Sequence, residues 1–168
     1  TLIANTPLME QHKITEGDDV FFAGLFTGHI GQIRNQPIIR FGKVSLISNE
    51  KILWQENNKP PTYRDLYLLE CQSFGGNSGS PVFFDLSPVR NAGQLLVGGK
   101  QIFLAGVMTG SFLQGSNIQQ VTETAASRLI SLQNAGIAAV TPAEKLHHML
   151  FSDELIEKRR QWDEHNAA

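Results

Sequence analysis

The sequence predicts an all-β protein closed by a C-terminal α-helix, in a Greek-key barrel or sandwich architecture. Three observations carry this. About six short apolar runs are separated by Gly, Pro, Asn and Asp turn signals, with no helical period alternating between them. The helix start Thr141-Pro142-Ala143-Glu144 stands only after the last of those runs. And 168 residues with 41% hydrophobic content suffice for one core but scarcely for two. A closed barrel is the variant that also removes exposed strand edges.

Taken in order, residues 1–15 show no sustained period and read as a lead-in with room for one strand, anchored by Leu2, Ile3, Leu8 and Ile14. After the turn Glu16-Gly17-Asp18-Asp19, residues 20–26 form a β-rich apolar run suited to burial on both faces. Residues 27–36 read as a loop. Residues 37–47 then partly alternate as a long curved strand with Gly42 as the expected bulge or bend. Polar residues 49–65, stiffened by Pro60 and Pro61, are expected to be a surface loop in which Trp54 covers a core edge. Residues 66–71 and 81–84 are strands flanking a glycine-rich bend, and 85–100 make a hairpin-like connection to the strand at 101–110. Residues 122–132 fit either a helical turn or a strand pair. A short strand at 136–140 leads into the helix, with Thr141 as the expected N-cap, Pro142 at its first position and Glu144 closing a capping box. A second, charged helical segment is expected from Ser152-Asp153-Glu154 through Trp162.

Composition excludes several classes of partner. Fourteen basic and 16 acidic residues, net charge -2, are mixed along the chain, so neither nucleic acid nor an anionic membrane is an expected partner. No apolar run approaches the roughly 20 residues that span a bilayer. One cysteine, Cys71, cannot form an internal disulfide or a Cys-rich metal site and reads as a small buried hydrophobe. His147-His148 lacks carboxylate or cysteine partners at ligand spacing. No metal or organic cofactor is expected.

Chemistry concentrates in Gly75-Gly76-Asn77-Ser78-Gly79-Ser80-Pro81-Val82. Gly76 and Gly79 permit a bend that turns backbone N–H groups toward one point, as an oxyanion requires. Ser78 between them is placed as an exposed nucleophile in need of a base from elsewhere in the fold. The bland alternative is a polar turn. Against it stands the position of the motif between two apolar strands and its Pro-Val ending.

Residues 76–81 resemble the nucleophile motif of the chymotrypsin-like serine proteases, most closely the bacterial branch, in which Asn often precedes the serine. The order of neighbouring features is also similar: Gly17-Asp18-Asp19-Val20, Arg40-Phe41-Gly42-Lys43-Val44-Ser45, Leu104-Ala105-Gly106-Val107, Asn134-Ala135-Gly136-Ile137 and Thr141-Pro142-Ala143. The likeness covers roughly residues 16–150. It implies a six-stranded Greek-key β-barrel, the second barrel of such a protease, with a C-terminal α-helix. It implies a serine endopeptidase acting through an acyl-enzyme at Ser78, with an oxyanion hole from the N–H groups of Gly76 and Ser78 and with Asn77 as the loop's spacer. Met108, Thr109 and Gly110 would align a peptide or protein substrate by β-pairing, and Phe74, Thr109 and Ala138 would line the primary specificity pocket. Asn77 also removes the carboxylate that pairs with a new N-terminus in trypsin-like zymogens.

In that family a His and an Asp precede the serine on a first barrel, whereas the residues ahead of Ser78 already supply the opening strands of its own barrel. The expectation is therefore a lead-in at 1–15, a C-terminal barrel at 16–141, and a helix and tail at 142–168. The general base and its carboxylate would lie upstream of Thr1, on an N-terminal barrel that is this barrel's partner. His12 and His29 read as solvated surface histidines. A catalytically silent barrel serving as a peptide-binding or assembly module is the alternative.

Overall fold

A computed structural model describes residues 2–28, 31–56, 59–73, 76–86, 101–122 and 125–166, with side chains left aside for 114–133. Six strands close into an antiparallel barrel: β1 (Asp19–Leu25), β2 (Pro37–Ile47), β5 (Tyr67–Cys71), β6 (Pro81–Leu86), β7 (Gln101–Thr122) and β8 (Ala125–Pro142). Their order around the barrel is β1-β2-β5-β8-β7-β6, with β6 returning to β1. Two short strands, β3 (Ile52–Trp54) and β4 (Thr62–Arg64), pair with each other beside it. Three helices complete the chain: α1 (Thr6–His12), α2 (Ala143–Leu150) and α3 (Asp153–Asn166). The all-β barrel and the C-terminal helical end expected from the sequence are both present.

Period-two alternation builds the core. Val20 and Phe22 on β1, Leu69 and Cys71 on β5, and Val82, Phe84 and Leu86 on β6 all turn inward, with Met108 and Val140 filling the space between them. The alternate residues face out. Phe21 is only half-buried, stacking on Phe83 across β1–β6 at 5.1 Å, so the run at 20–26 buries one face rather than the two expected. Phe41 and Ile39 on β2 and Ile102 on β7 are exposed on the outside of the barrel.

Other expectations are corrected by local physics. The stretch at 49–65 holds the β3–β4 hairpin: Ile52-Leu53-Trp54 pairs with Thr62-Tyr63-Arg64, and the prolines lie in the connection between them. Its Trp54 is 6% exposed and seeds a second small core with Leu66 and Ala139, deeper than an edge cover. The bulge in β2 falls between Val44 and Leu46, not at Gly42. Gly42 serves close approach instead, since a Cβ there would stand 2.6 Å from the Cys71 Cβ. In the lead-in, α1 replaces the expected strand. Asn5 caps it, its side-chain oxygen accepting from the Leu8 N–H at 3.1 Å, and Pro7 stands in the first turn. Ahead of it, Ile3 pairs parallel with Leu104 on β7.

Thr141 does not cap α2. Pro142 occupies the N-cap position without a side-chain bond, while the Thr141 hydroxyl lies 2.7 Å from that of Thr109. The Glu144 carboxylate accepts from the Thr6 hydroxyl at 3.0 Å rather than closing a capping box, so it ties α2 to α1. Of residues 122–132, those described (122 and 125–132) fall on the side of the strand pair: β7 and β8 stay paired from Leu113 with Asn134 to Thr122 with Ala125, as a two-stranded ribbon beyond the barrel. The charged segment expected after Ser152 is α3, which buries no residue and carries pairs such as Lys158–Glu154 and Arg160–Glu157 on its solvated surface. The connection at 87–100 lies outside the described residues, and the strands it joins pair antiparallel from Leu86 with Gln101 onward.

Strand order decides where the serine loop runs. β5 and β6 stand on opposite sides of the six-stranded ring, so the connection at 72–80 must cross one end of the barrel. A loop in that position has strand ends on every side to hold it.

Candidate active site

Ser78 stands exposed in the crossing loop. Two glycines set the backbone around it: Gly76 has φ +98° and Gly79 φ +88°, values that L side chains rarely adopt. The Ser80 N–H donates to the Asn77 carbonyl at 3.1 Å, closing a turn with Ser78 and Gly79 at its centre. A positive φ at the third residue of such a turn is where glycine is demanded. Gly76 is also sterically confined, for a Cβ there would lie 2.7 Å from the Thr27 methyl.

Asn77 is the anchor. It is 2% exposed, and its side-chain amide donates to the Leu25 carbonyl at 3.0 Å, fastening the loop to the end of β1. Ser80, also buried, sits against the same strand at Gly24. Across the barrel end the Gly79 N–H donates to the Met108 carbonyl at 2.8 Å, and the Met108 N–H donates to the Ser80 carbonyl at 2.9 Å. With Asn77 and Ser80 fixed from two sides, the turn they bracket presents Ser78 outward.

The Ser78 hydroxyl donates to the Thr109 carbonyl at 3.0 Å. The strand segment 108–110, expected to align a substrate, therefore lies against the serine. Met108 itself is 2% exposed and fills the core, so its main chain, not its side chain, meets the loop. Thr109 is half-buried, its hydroxyl paired with Thr141. Gly110 backs onto the Trp54 indole, 3.0 Å from where a Cβ would be. Ala138 has no exposed surface and packs in the barrel core, paired with Leu69 and Ser111. Phe74, Gly75 and His29 lie outside the described residues.

Polar contacts also hold the entry to the loop. The Asn134 side-chain amide donates to the Ser73 hydroxyl at 3.1 Å and to the Ser73 carbonyl, while its oxygen accepts from the Gly136 N–H at 2.9 Å. Buried Ser73 is thereby joined to the start of the barrel portion of β8. Sequence reasoning did not single out Ser73, Asn134, Gly24 or Trp54 for the site. Gly24 left a signal, as an isolated glycine within an apolar strand marks close approach of another chain.

The described histidines are placed elsewhere. His12 packs on Phe103 at 4.8 Å, and His147 packs on Phe151 at 4.6 Å on α2. Cys71, at the end of β5 just before the loop, is buried, and burial pushes its thiol up to about 11 against the partial opposition of the Arg40 charge. It stays a thiol at neutral pH. Among the described residues no three His, Cys, Asp or Glu side chains gather as metal ligands would.

Comparison with protein-family models, with curated proteins and with solved structures finds no match to this chain.

Proposed function

We propose that this chain is the nucleophile-bearing barrel of a serine endopeptidase, cleaving peptide bonds through an acyl-enzyme at Ser78. The observation that carries the reading is an exposed serine on a loop fixed at Asn77 and at Ser80, between two positive-φ glycines, with its hydroxyl 3.0 Å from the Thr109 carbonyl. Strand order supports the same family of folds. β1, β2 and β5 follow one another around the barrel, and β6 returns beside β1, which is the 4-1-2-3 order of a Greek key.

In the proposed reaction the Ser78 oxygen attacks the substrate carbonyl carbon and its proton passes to a general base. The N–H groups of Gly76 and Ser78 receive the developing oxyanion. The base then protonates the departing amine, and water repeats the sequence on the ester. In this reading the base and its orienting carboxylate come from a second barrel packed against this one. Ser78 is instead bonded to a backbone carbonyl, while His12 packs on Phe103, His147 packs on Phe151, and His165 lies on α3. The exposed Ile39, Phe41 and Ile102 offer an apolar face on which a second barrel could pack.

That same carbonyl partner favours a second reading, a catalytically silent barrel that binds peptides or assembles with a partner. Labelling with a fluorophosphonate separates the two. The protease reading expects labelling that Ser78→Ala abolishes; equal labelling of the variant, or none of the wild type, rejects it.

A further inference from the structure

The main chain of β7 breaks its alternation beside Ser78. In a regular strand successive carbonyls point to opposite sides. Those of Met108 and Thr109 both face the serine loop: Met108 accepts from the Gly79 N–H at 2.8 Å and Thr109 from the Ser78 hydroxyl at 3.0 Å. The pairing with β8 shows how. Met108 stands opposite Val140 and Gly110 opposite Ala139, which are adjacent in β8, so Thr109 is the extra residue of a bulge and is left without a partner on that strand. Bulges re-aim the groups they carry. Here one turns a carbonyl out of the barrel ladder and onto the serine.

Both ends of that contact are held. Asn77, Gly79 and Ser80 fix the loop's main chain, the Thr109 hydroxyl lies 2.7 Å from that of Thr141, and Gly110 backs onto Trp54. The Ser78 side chain is the movable part. It is exposed, and among the described residues its hydroxyl bonds to Thr109 alone, so a turn about χ1 to another staggered rotamer releases it. The β6 ladder on β7 ends at Val107 and the loop takes Met108, which makes Thr109 the next acceptor on that side of β7. An extended peptide adding there would lie about 4.8 Å from β7, with a main-chain N–H about 2.9 Å from the Thr109 oxygen. Ser78 Oγ, 3.0 Å from the same oxygen on the same side, stands in that lane.

We propose that the Thr109 carbonyl is a latch, holding the Ser78 hydroxyl while the strand edge is empty and exchanging it for a main-chain N–H when an extended peptide pairs with β7. The peptide must displace one hydrogen bond to bind, and the serine leaves the exchange with its hydroxyl free. The exchange itself requires no turnover. Its consequence for catalysis rests on the reading of Ser78 as nucleophile given above: the hydroxyl proton is released from the carbonyl, and so made available to a base, by the arrival of the substrate.

The test titrates the wild-type chain and Ser78→Ala by calorimetry with acetylated hexaalanine amide and its variants carrying Leu, Gln, Glu or Lys at one position. The tightest of these peptides is expected to bind Ser78→Ala about fivefold tighter than wild type, because only the wild type gives up a neutral hydrogen bond. An ester replacing one amide of that peptide, scanned along its length, should weaken binding to Ser78→Ala by about the same factor at the position whose N–H meets Thr109. In the wild type, the Hα–Hβ couplings of Ser78 report χ1 and should show one rotamer in the free chain and another at saturation. That readout stands even if the variant folds poorly. Equal or weaker binding by Ser78→Ala, no binding of any peptide, an ester scan without a sensitive position, or unchanged Ser78 couplings in the saturated complex overturns the latch. Each outcome is independent of fluorophosphonate labelling, which tests Ser78 as a nucleophile.

Discussion

At position 24 the barrel has no room for a methyl group. A Cβ there would stand 2.7 Å from the Ser80 hydroxyl oxygen and 2.9 Å from the Asn77 side-chain nitrogen, the two buried side chains that bracket Ser78. Gly24→Ala must therefore displace the serine loop or the end of β1. Overpacking of this kind costs about 1–3 kcal/mol, and fluorophosphonate labelling should fall at least as far as it does on removing the Asn77 anchor with Asn77→Ala. Denaturant melts and labelling rates on the two variants check this; a Gly24→Ala protein with unchanged labelling would show that the loop does not lean on β1. Cys71 gives a second residue-scale measure. With its thiol at about 11 in the fold against 9.0 for the free group, the thiolate fraction at pH 8 is about a hundredfold lower in the native protein than in the unfolded chain. Reaction with a disulfide reagent should slow by at least that factor and recover in denaturant. The sign of the linkage follows: a folded value raised above the unfolded one contributes stability below pH 9 that is lost as pH climbs from about 9 toward 11. Cys71→Ala should flatten that alkaline loss, and a thiol that reacts equally fast in both states would refute its burial.

Among the elements, α1 is the one that short-range signals announced and a search for apolar periods passed over. Seven residues are too few to display a helical stripe, yet Asn5 before Thr6-Pro7 is an N-cap followed by a proline in the first turn. Asn5→Ala removes the acceptor for the Leu8 N–H and should cost about 1 kcal/mol, or about 2–4 °C in Tm for a chain of this size; no change in a thermal melt would mean that Glu144, through Thr6, holds the helix without its cap. The opposite error occurred at α2, where Thr141-Pro142-Ala143-Glu144 carries every local mark of a capping box. Tertiary partners took both polar groups, Thr109 the hydroxyl and Thr6 the carboxylate, because β8 brings Thr141 beside β7 and α2 beside α1. Local sequence specifies which groups can cap a helix, and long-range pairing decides which do. The β3–β4 hairpin was hidden for a related reason. Two three-residue strands are too short for alternation to register, and Trp54 reports burial only when Leu66, Ala139 and Phe112 close around it.

For the molecule as a whole, the barrel was legible because inward residues recur at every second position along β1, β5 and β6. The site was legible only as far as it is local. Gly76, Asn77, Ser78 and Gly79 announce a bend with an exposed hydroxyl, whereas the contacts of that bend with Leu25, Met108 and Thr109 follow from the loop's crossing between opposite sides of the ring. No pattern within residues 72–80 encodes that crossing. It also separates what this chain can do from what its proposed activity needs. The loop is held from two sides, so Ser78 is already placed, but among the described residues its hydroxyl donates to the Thr109 carbonyl, which cannot act as the base that takes its proton. In subtilisin, loss of the base costs about 10⁶-fold in kcat, and the oxyanion hole retains only a residue of catalysis. The purified chain of 168 residues should thus hydrolyse denatured casein about 10⁶-fold more slowly than the same chain joined to a preceding His- and Asp-bearing barrel. The joined form should lose its activity on Ser78→Ala. The decisive comparison is turnover by the chain alone: vigorous proteolysis abolished by Ser78→Ala would place a base within these residues and move the search to His29 or His12, because a serine so well fixed needs only one proton acceptor within hydrogen-bond reach to become a nucleophile.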